Sequence, residues 1–330
     1  MNRTDLQDPS PLPFRLAVAM CGCTLFLVLF GGSVTTMGAG MSVKGWIDAE
    51  GHFLPLFPVA MWFRDPATFV EHTHRMIGIL VGLLSIATLI ATYRKDRRTT
   101  ARLAAWAALF AICVQGALGG TRVLENSQGL AFLHGAMGQL VLAVLWCTCL
   151  VLMPSYQRAP DVDRVLGRRL FTAARAATVV VYAQIVLGTW FRHSVRVSTE
   201  VPGADEQPFP VGIFILHAMG AICVLVAVLI VAKRARDGWQ FTPEGPAGFA
   251  SARLFRRLEV WLHVAFGVQF TLGLGALATL KMERTAPAAV ITSTLHVLFG
   301  ALLLAACASS VLWGLRFLSQ AEPASAEQTS

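Results

Sequence analysis

The chain has 330 residues, of which 55% are hydrophobic and only 14% are charged, whereas a soluble domain carries about 25% charged residues. Its formal net charge is +8. This composition excludes an ordinary water-soluble globular protein. The apolar residues form runs long enough to cross a hydrocarbon layer about 30 Å thick as helices. The first run begins near Phe14 and continues past Phe30, and further runs follow it, so we do not interpret it as a cleavable signal peptide.

Eight apolar segments predict eight transmembrane helices and therefore an all-α, polytopic membrane protein. They cover residues 14–36, 69–91, 102–121, 129–153, 170–191, 211–232, 255–279 and 289–314. The two terminal segments and the connections 2–3, 4–5 and 6–7 hold eighteen Lys and Arg residues, and the opposite side holds seven. Because cytoplasmic loops are the more basic ones, we predict that both termini are cytoplasmic and that the protein lies in the cell inner membrane. The positive charge then reflects topology and anionic lipid, and no nucleic-acid partner is needed to explain it.

All seven cysteines fall within predicted helices. The pairs Cys21/Cys23 and Cys147/Cys149 have a spacing found in metal sites, but residues two apart on a helix point in different directions. We interpret these cysteines as packing residues.

The chain has the organisation of two halves, 1–153 and 154–330, each predicted to form a four-helix bundle and joined by a polar, Arg-rich segment over 154–167. The pattern Gln-x-x-Leu-Gly begins at Gln115, Gln184 and Gln269, each near the same end of an odd-numbered helix. Internal repetition in membrane proteins is typical of pseudo-symmetric bundles with sites inside the repeats. The glycines allow a helix or a flat ligand to approach closely.

Four histidines occupy equivalent positions in the even-numbered helices: His74, His134, His217 and His296. Each lies about five to seven residues after its helix begins, which corresponds to a depth of roughly 8–11 Å. The four imidazoles are therefore predicted to share one level in the outer leaflet. Ionisable residues inside a membrane are costly and indicate function.

Two imidazoles in each half, in an apolar bundle beside small residues, fit a planar macrocycle whose iron has axial histidine ligands. Zinc fits less well, because it prefers four tetrahedral ligands and no acidic or thiol partner lies at this level in the second half. A proton relay would more typically include several carboxylates. We therefore predict two bis-histidine hemes, one ligated by His74 and His134 and the other by His217 and His296.

The remaining histidines are not predicted to bind iron. His263 is expected in the inner leaflet, His193 at the membrane boundary, and His72 on a different helix face from His74.

One carboxylate distinguishes the first half from the second. Glu71 lies three residues before His74 and so shares its helix face. The equivalent residues before the other three histidines are Ala131, Phe214 and Ser293. An ion pair between Glu71 and Arg75 would explain the carboxylate structurally. The alternative that we favour is a catalytic Glu71, which accepts a proton or stabilises developing charge.

At these residues the sequence resembles the heme A synthases, a resemblance that extends over roughly 14–314. It is carried by residues 32–36, 40–42, 71–75 (Glu-His-Thr-His-Arg), 115–120, 188–193 and 294–296, together with Trp46, His134 and His217. It implies two pseudo-symmetric four-helix bundles that oxidise a methyl substituent of heme O to the formyl group of heme A. In that family the site formed here by Glu71, His74 and His134 takes the substrate, and the histidines matching His217 and His296 bind heme b.

The resemblance also implies partners: heme O and its synthase as donor, terminal oxidase assembly as recipient, and an electron acceptor that the sequence does not identify. Many family members carry a cysteine pair in the first loop, and this chain has none there. The aromatic residues over 37–68 predict instead a lid on the first site or an aromatic membrane anchor. Arg75 and Arg192, with Arg122 and Lys281, are candidate partners of heme propionates.

Two other functions remain open from the residues alone. One is a di-heme b-type membrane electron-transfer protein with no heme-modifying activity. The other is a transporter whose histidines relay protons. Such a transporter is expected to contain broken helices, and no proline lies centrally in the predicted spans.

Overall fold

The computed structural model describes residues 10–157, 164–200, 209–240 and 246–319. Within these ranges eight helices are long and apolar enough to cross a membrane, which confirms the prediction of an all-α protein with eight spans. They are α1 (Leu12–Met37), α2 (Pro66–Lys95), α3 (Thr99–Leu124), α4 (Gln128–Leu152), α5 (Arg164–Glu200), α6 (Val211–Gln240), α7 (Pro246–Ala278) and α8 (Pro287–Ser319). Short helices lie between α1 and α2, at Val59–Trp62, and between α4 and α5, at Pro154–Gln157.

Most helices extend beyond the spans that hydropathy predicts. Helix α2 begins at Pro66 because the Asp65 carboxylate caps it, accepting the Thr68 N–H at 2.8 Å. Helix α6 continues to Gln240, through polar residues that the prediction excluded. Hydropathy marks the part of a helix that lies in lipid, whereas the backbone hydrogen bonds continue into the polar flanks.

The helices pack as two closed rings of four. Helix α1 packs on α2, α2 on α3, α3 on α4 and α4 on α1, and α5–α8 follow the same order. The rings meet where α8 contacts α1 and α4 and where α5 contacts α4. This arrangement is consistent with the expected pair of pseudo-symmetric bundles. The division into domains at residues 153 and 154 stays a prediction.

Each ring has an apolar core of its own. Ala17, Met20 and Leu145 are buried in the first, and Leu170 and Phe255 in the second. The cysteines Cys21, Cys23 and Cys149 belong to the first core or pack against it. These three therefore have the packing role expected of them.

The connection between α1 and α2, residues 38–65, is called here the α1–α2 loop. It starts at Gly38, whose φ of 71° ends α1, and contains an antiparallel pair of short strands, β1 (Asp48–Ala49) and β2 (His52–Phe53). Arg64 bonds the Glu50 carboxylate through two nitrogens, each at 2.9 Å. These hydrogen bonds from the Arg64 guanidinium lower the pKa of Glu50. The loop is thus a folded unit with its own buried residues, Val43, Ala49, Leu54 and Phe57.

Candidate functional site

The first histidine pair lies inside the first ring. His74 on α2 and His134 on α4 face each other with ring centroids 6.3 Å apart and planes at 82°. The Nδ1 atom of His74 is 3.0 Å from the backbone oxygen of Leu27 on α1. A neutral imidazole that donates from Nδ1 keeps its Nε2 lone pair available to a metal.

The second pair repeats this geometry in the other ring. His217 on α6 and His296 on α8 have centroids 6.4 Å apart and planes at 83°. The Nδ1 atom of His296 is 3.1 Å from the backbone oxygen of Gln269 on α7. The four histidines lie six to nine residues after the first residue of their helices, so the two pairs occupy matching levels. The pairs expected from the sequence are therefore together in space, and iron ligation by them stays a prediction.

Each imidazole lies against a glycine of the preceding helix. A β-carbon at these glycines would come within 2.7–2.9 Å of the histidine Cε1 atom, whereas carbon atoms in contact are about 3.5–4.0 Å apart. The pairs are Gly31 with His74, Gly119 with His134, Gly188 with His217, and Gly273 with His296. A larger residue at any of the four would displace a ring, so the glycines set the positions of the imidazoles.

The separation within each pair suits one metal ion between the rings. Two metal–nitrogen bonds of about 2.0–2.1 Å, together with half the width of each ring, give a centroid separation of about 6 Å. Among the residues that the structure describes, no three His, Cys, Asp or Glu side chains are grouped to hold a metal. Two imidazoles at this separation, with no third such ligand grouped beside them in the described part of the chain, fit an iron whose other positions are filled by a macrocycle.

Glu71 is 1% exposed and bonds the α1–α2 loop. Its carboxylate accepts the backbone N–H of Val43 at 2.8 Å and a guanidinium N–H of Arg75 at 2.6 Å. Arg75 also donates to the backbone oxygens of Val43, at 2.6 Å, and Gly45, at 2.8 Å. The ion pair considered from the sequence is thus present, one helical turn from His74. The catalytic role of Glu71 and the propionate-binding role of Arg75 stay predictions.

The α1–α2 loop covers one end of the first ring. A β-carbon at Gly120, next to the glycine beneath His134, would overlap the Trp46 indole. Arg122 donates to the backbone oxygen of Gly40 at 3.0 Å. His72 stacks on Phe57 of the loop with ring centroids 4.6 Å apart, so it faces away from the histidine pair, as expected. These contacts fit the expected lid, while exposed loop aromatics also fit a membrane anchor.

Comparison with known proteins adds evidence independent of this geometry. The family model COX15-CtaA, described as cytochrome oxidase assembly protein, matches residues 14–308. The chain belongs to the COX15-CtaA family.

Proteins similar in sequence include the heme A synthase of Symbiobacterium thermophilum. It is 28% identical over 229 residues, which are 65% of this chain and 72% of that protein. The heme A synthase of Shouchella clausii is 28% identical over 233 residues, 66% of this chain and 74% of the relative. The heme A synthase of Rhodopseudomonas palustris is 31% identical over 154 residues, 43% of this chain and 42% of the relative.

Two further predicted positions in this COX15-CtaA protein lie where its rings meet. Arg192 on α5 donates to the Gly32 backbone oxygen at 2.8 Å and to the Thr36 hydroxyl, both on α1. It therefore ties the rings together, and binding of a propionate by Arg192 stays a prediction. His193 is 8% exposed and lies beside Gly135 of α4. It is buried because α4 packs over this face of α5, and its position at the membrane boundary stays a prediction. His263 on α7 is 2.8 Å from the backbone oxygen of Glu259 in its own helix.

The sequence reasoning missed how the glycines and glutamines of the repeat are used. Gln115 and Gln184 donate from Nε2 to the backbone oxygens of His134, at 2.9 Å, and His217, at 2.7 Å. The Gln-x-x-Leu-Gly pattern includes both the glutamine and the glycine that contact a histidine. The pattern does not include Gly31, because α1 has Leu27 in place of the glutamine.

Proposed function

We propose that this protein is a heme A synthase, an oxidoreductase that converts a methyl substituent of heme O to the formyl group of heme A. Family membership and relatives named heme A synthase support the class of enzyme. The observation that carries the reaction is the asymmetry between two otherwise matching histidine pairs. Glu71 lies one turn from His74, and the corresponding positions before His134, His217 and His296 have no carboxylate.

In this proposal the first ring binds the substrate heme between His74 and His134, and the second binds heme b between His217 and His296. Both pairs fit a heme iron by their separation and by the glycine cradles that leave room for the imidazoles. Heme b supplies, when bound, an iron that accepts electrons and passes them on.

The groups of the protein itself orient the histidine ligands and accept a proton from the substrate. The backbone oxygens of Leu27 and Gln269 accept Nδ1–H from His74 and His296, which would leave Nε2 of each ring available to bind heme iron. Oxidation of a methyl to a formyl group, with water as the proposed oxygen donor, releases protons and electrons. The Glu71 carboxylate is the proposed acceptor of a proton, and the electron acceptor takes the electrons. The α1–α2 loop covers one end of this site, and Arg75 holds the Glu71 carboxylate in place.

Heme extraction tests the proposal directly. The protein is produced in cells that also make heme O, purified, and its extracted hemes are separated by chromatography. We expect heme A and heme b from the parent, and heme b without heme A from a His74→Ala variant. A parent that contains heme b alone would favour the alternative, a di-heme b-type electron-transfer protein.

We further propose the cellular setting that follows from this reaction. The protein lies in the cell inner membrane with both termini in the cytoplasm, as the distribution of Lys and Arg indicates. Heme O arrives from its synthase, heme A leaves for terminal oxidase assembly, and an electron acceptor receives the electrons removed. The lipid bilayer surrounds the eight spans.

A further inference from the structure

The contacts around the four histidines repeat with one exception. The glycines that lie against the histidines, Gly31, Gly119, Gly188 and Gly273, are called here the cradle glycines. The residue four positions before each cradle glycine packs on a second glycine, which lies three or four residues after the histidine in the next helix. Gln115 packs on Gly138, Gln184 on Gly220 and Gln269 on Gly300, whereas at the fourth site Leu27 packs on Gly78. Three histidines thus have a neighbouring amide, and His74 has an aliphatic side chain.

The amides contact the histidines directly. Gln115 Nε2 lies 2.9 Å from the His134 backbone oxygen and 3.2 Å from its Nδ1 atom. Gln184 Nε2 is 2.7 Å from the His217 backbone oxygen. Gln269 Nε2 is 3.5 Å from Nε2 of His296, whose Nδ1 atom is 3.1 Å from the Gln269 backbone oxygen.

The oxygens of these amides are also distinctive. The Oε1 atoms of Gln115, Gln184 and Gln269 are buried and have no hydrogen-bond partner within the described ranges, and the same is true of His217 Nδ1. An unpaired buried acceptor is unfavourable for folding. An imidazole that binds metal through Nε2 carries its proton on Nδ1 and needs an acceptor there. His74 and His296 have such an acceptor in the backbone oxygens of Leu27 and Gln269. At His134 and His217 the neighbouring amide, which already holds the histidine backbone, is the group that can supply one.

We infer that Gln115, Gln184 and Gln269 are positioning residues for three heme ligands and that Leu27 makes His74 the ligand that releases first. This inference rests on the proposed function. A substrate heme must enter and leave, whereas a resident heme b stays bound. His134, held by Gln115, would remain a ligand of the substrate heme when His74 dissociates from it. In the second ring both ligands have an amide neighbour.

Position 27 allows a test in which a contact is added. Leu27→Gln introduces the missing amide without altering the backbone oxygen that accepts from His74. Gly78 leaves space, since a β-carbon there would be 3.9 Å from the Leu27 side chain. Leu27→Met has similar length and no amide, so it is the matched control. Gln269→Leu makes the reverse change in the second ring.

The proteins are purified with their hemes and mixed with an excess of heme-free globin. The hemes retained over time, heme O plus heme A for the first ring and heme b for the second, are measured by chromatography. One hydrogen bond to a ligand changes such a rate about three- to tenfold. We expect Leu27→Gln to slow loss of heme O and heme A by this factor and leave heme b loss unchanged. Gln269→Leu should accelerate heme b loss alone. The high-spin fraction of the first-ring heme, seen by electron paramagnetic resonance, should fall in Leu27→Gln.

The outcomes separate the inference from the function beneath it. Equal rates and equal high-spin fractions in Leu27→Gln and Leu27→Met, with both hemes present, overturn the inference and leave the proposed function standing. A parent that binds neither heme O nor heme A overturns the proposed function and, with it, the role assigned to Leu27. Faster loss of both classes of heme in Gln269→Leu also overturns the inference, because it indicates general loosening of the bundle.

Discussion

Glu71→Gln separates the catalytic and the structural roles of this carboxylate. The substitution keeps size and an acceptor for the Val43 N–H, but it removes the charge that faces Arg75. The Glu71 and Arg75 side chains are 2% and 11% exposed, so solvent screens the pair little. Removing one partner of a buried ion pair costs about 3–5 kcal/mol. Arg75 retains two backbone acceptors in the α1–α2 loop, so we expect a cost at the lower end of this range.

The expected effect on chemistry is larger than the effect on the loop. If Glu71 accepts a proton or stabilises charge during oxidation, conversion of heme O to heme A should fall by a factor of about 100 or more. The absorbance of heme b should stay at the parent level, because its proposed ligands lie in the other ring. Chromatography of extracted hemes and thermal unfolding measure the two effects on one preparation.

Arg75→Gln is the matched control, because it breaks the same ion pair and leaves the carboxylate. A structural role predicts that both variants lose stability and conversion together. A catalytic role predicts that Glu71→Gln loses far more conversion at a similar loss of stability. Heme A production by Glu71→Gln at the parent rate would refute the catalytic assignment.

Two other predictions follow from the structure. Replacing His217 or His296 by alanine should remove the heme of the second ring, whereas His263→Ala should leave heme per protein unchanged; full retention in both of the first variants would contradict the ligand assignment. Acidification below the ordinary carboxyl pKa of about 4.3 should loosen the α1–α2 loop, because Glu50 has a lowered pKa. The stabilising charge of Glu50 is fully present above the ordinary pKa and is lost as the pH falls through the lowered value. Tryptophan fluorescence follows this change, which Glu50→Gln should abolish, and a flat profile in the parent would argue against the Arg64 contact.

The parts of the molecule that depend on local pattern could be predicted from the sequence. Apolar runs of membrane-spanning length define eight helices whatever their neighbours. Histidines at equal positions in alternate helices must reach a common level, and His74 and His134 face each other within one ring as expected. The pairing of Glu71 with Arg75 followed from their spacing of four residues on a helix.

The features that depend on distant contacts could not be predicted. The α1–α2 loop has no hydrophobic period, and it is held by residues of another helix, as in the contact of Trp46 with Gly120. Arg192 reaches α1 across the meeting of the rings, which no local pattern signals. The contact of Gly31 with His74 could not be predicted from the repeat, because α1 has Leu27 where the Gln-x-x-Leu-Gly pattern has glutamine.

The matching levels of the two histidine pairs have an electrical consequence. An elementary charge that crosses a membrane potential of 100 mV exchanges about 2.3 kcal/mol with it. Both pairs lie six to nine residues into their helices from ends on the same side. If the two pairs hold hemes as proposed, an electron passing between them would move parallel to the membrane plane. The membrane potential neither drives nor opposes this step, so its rate should be set by the two heme environments alone, whatever the energisation of the cell.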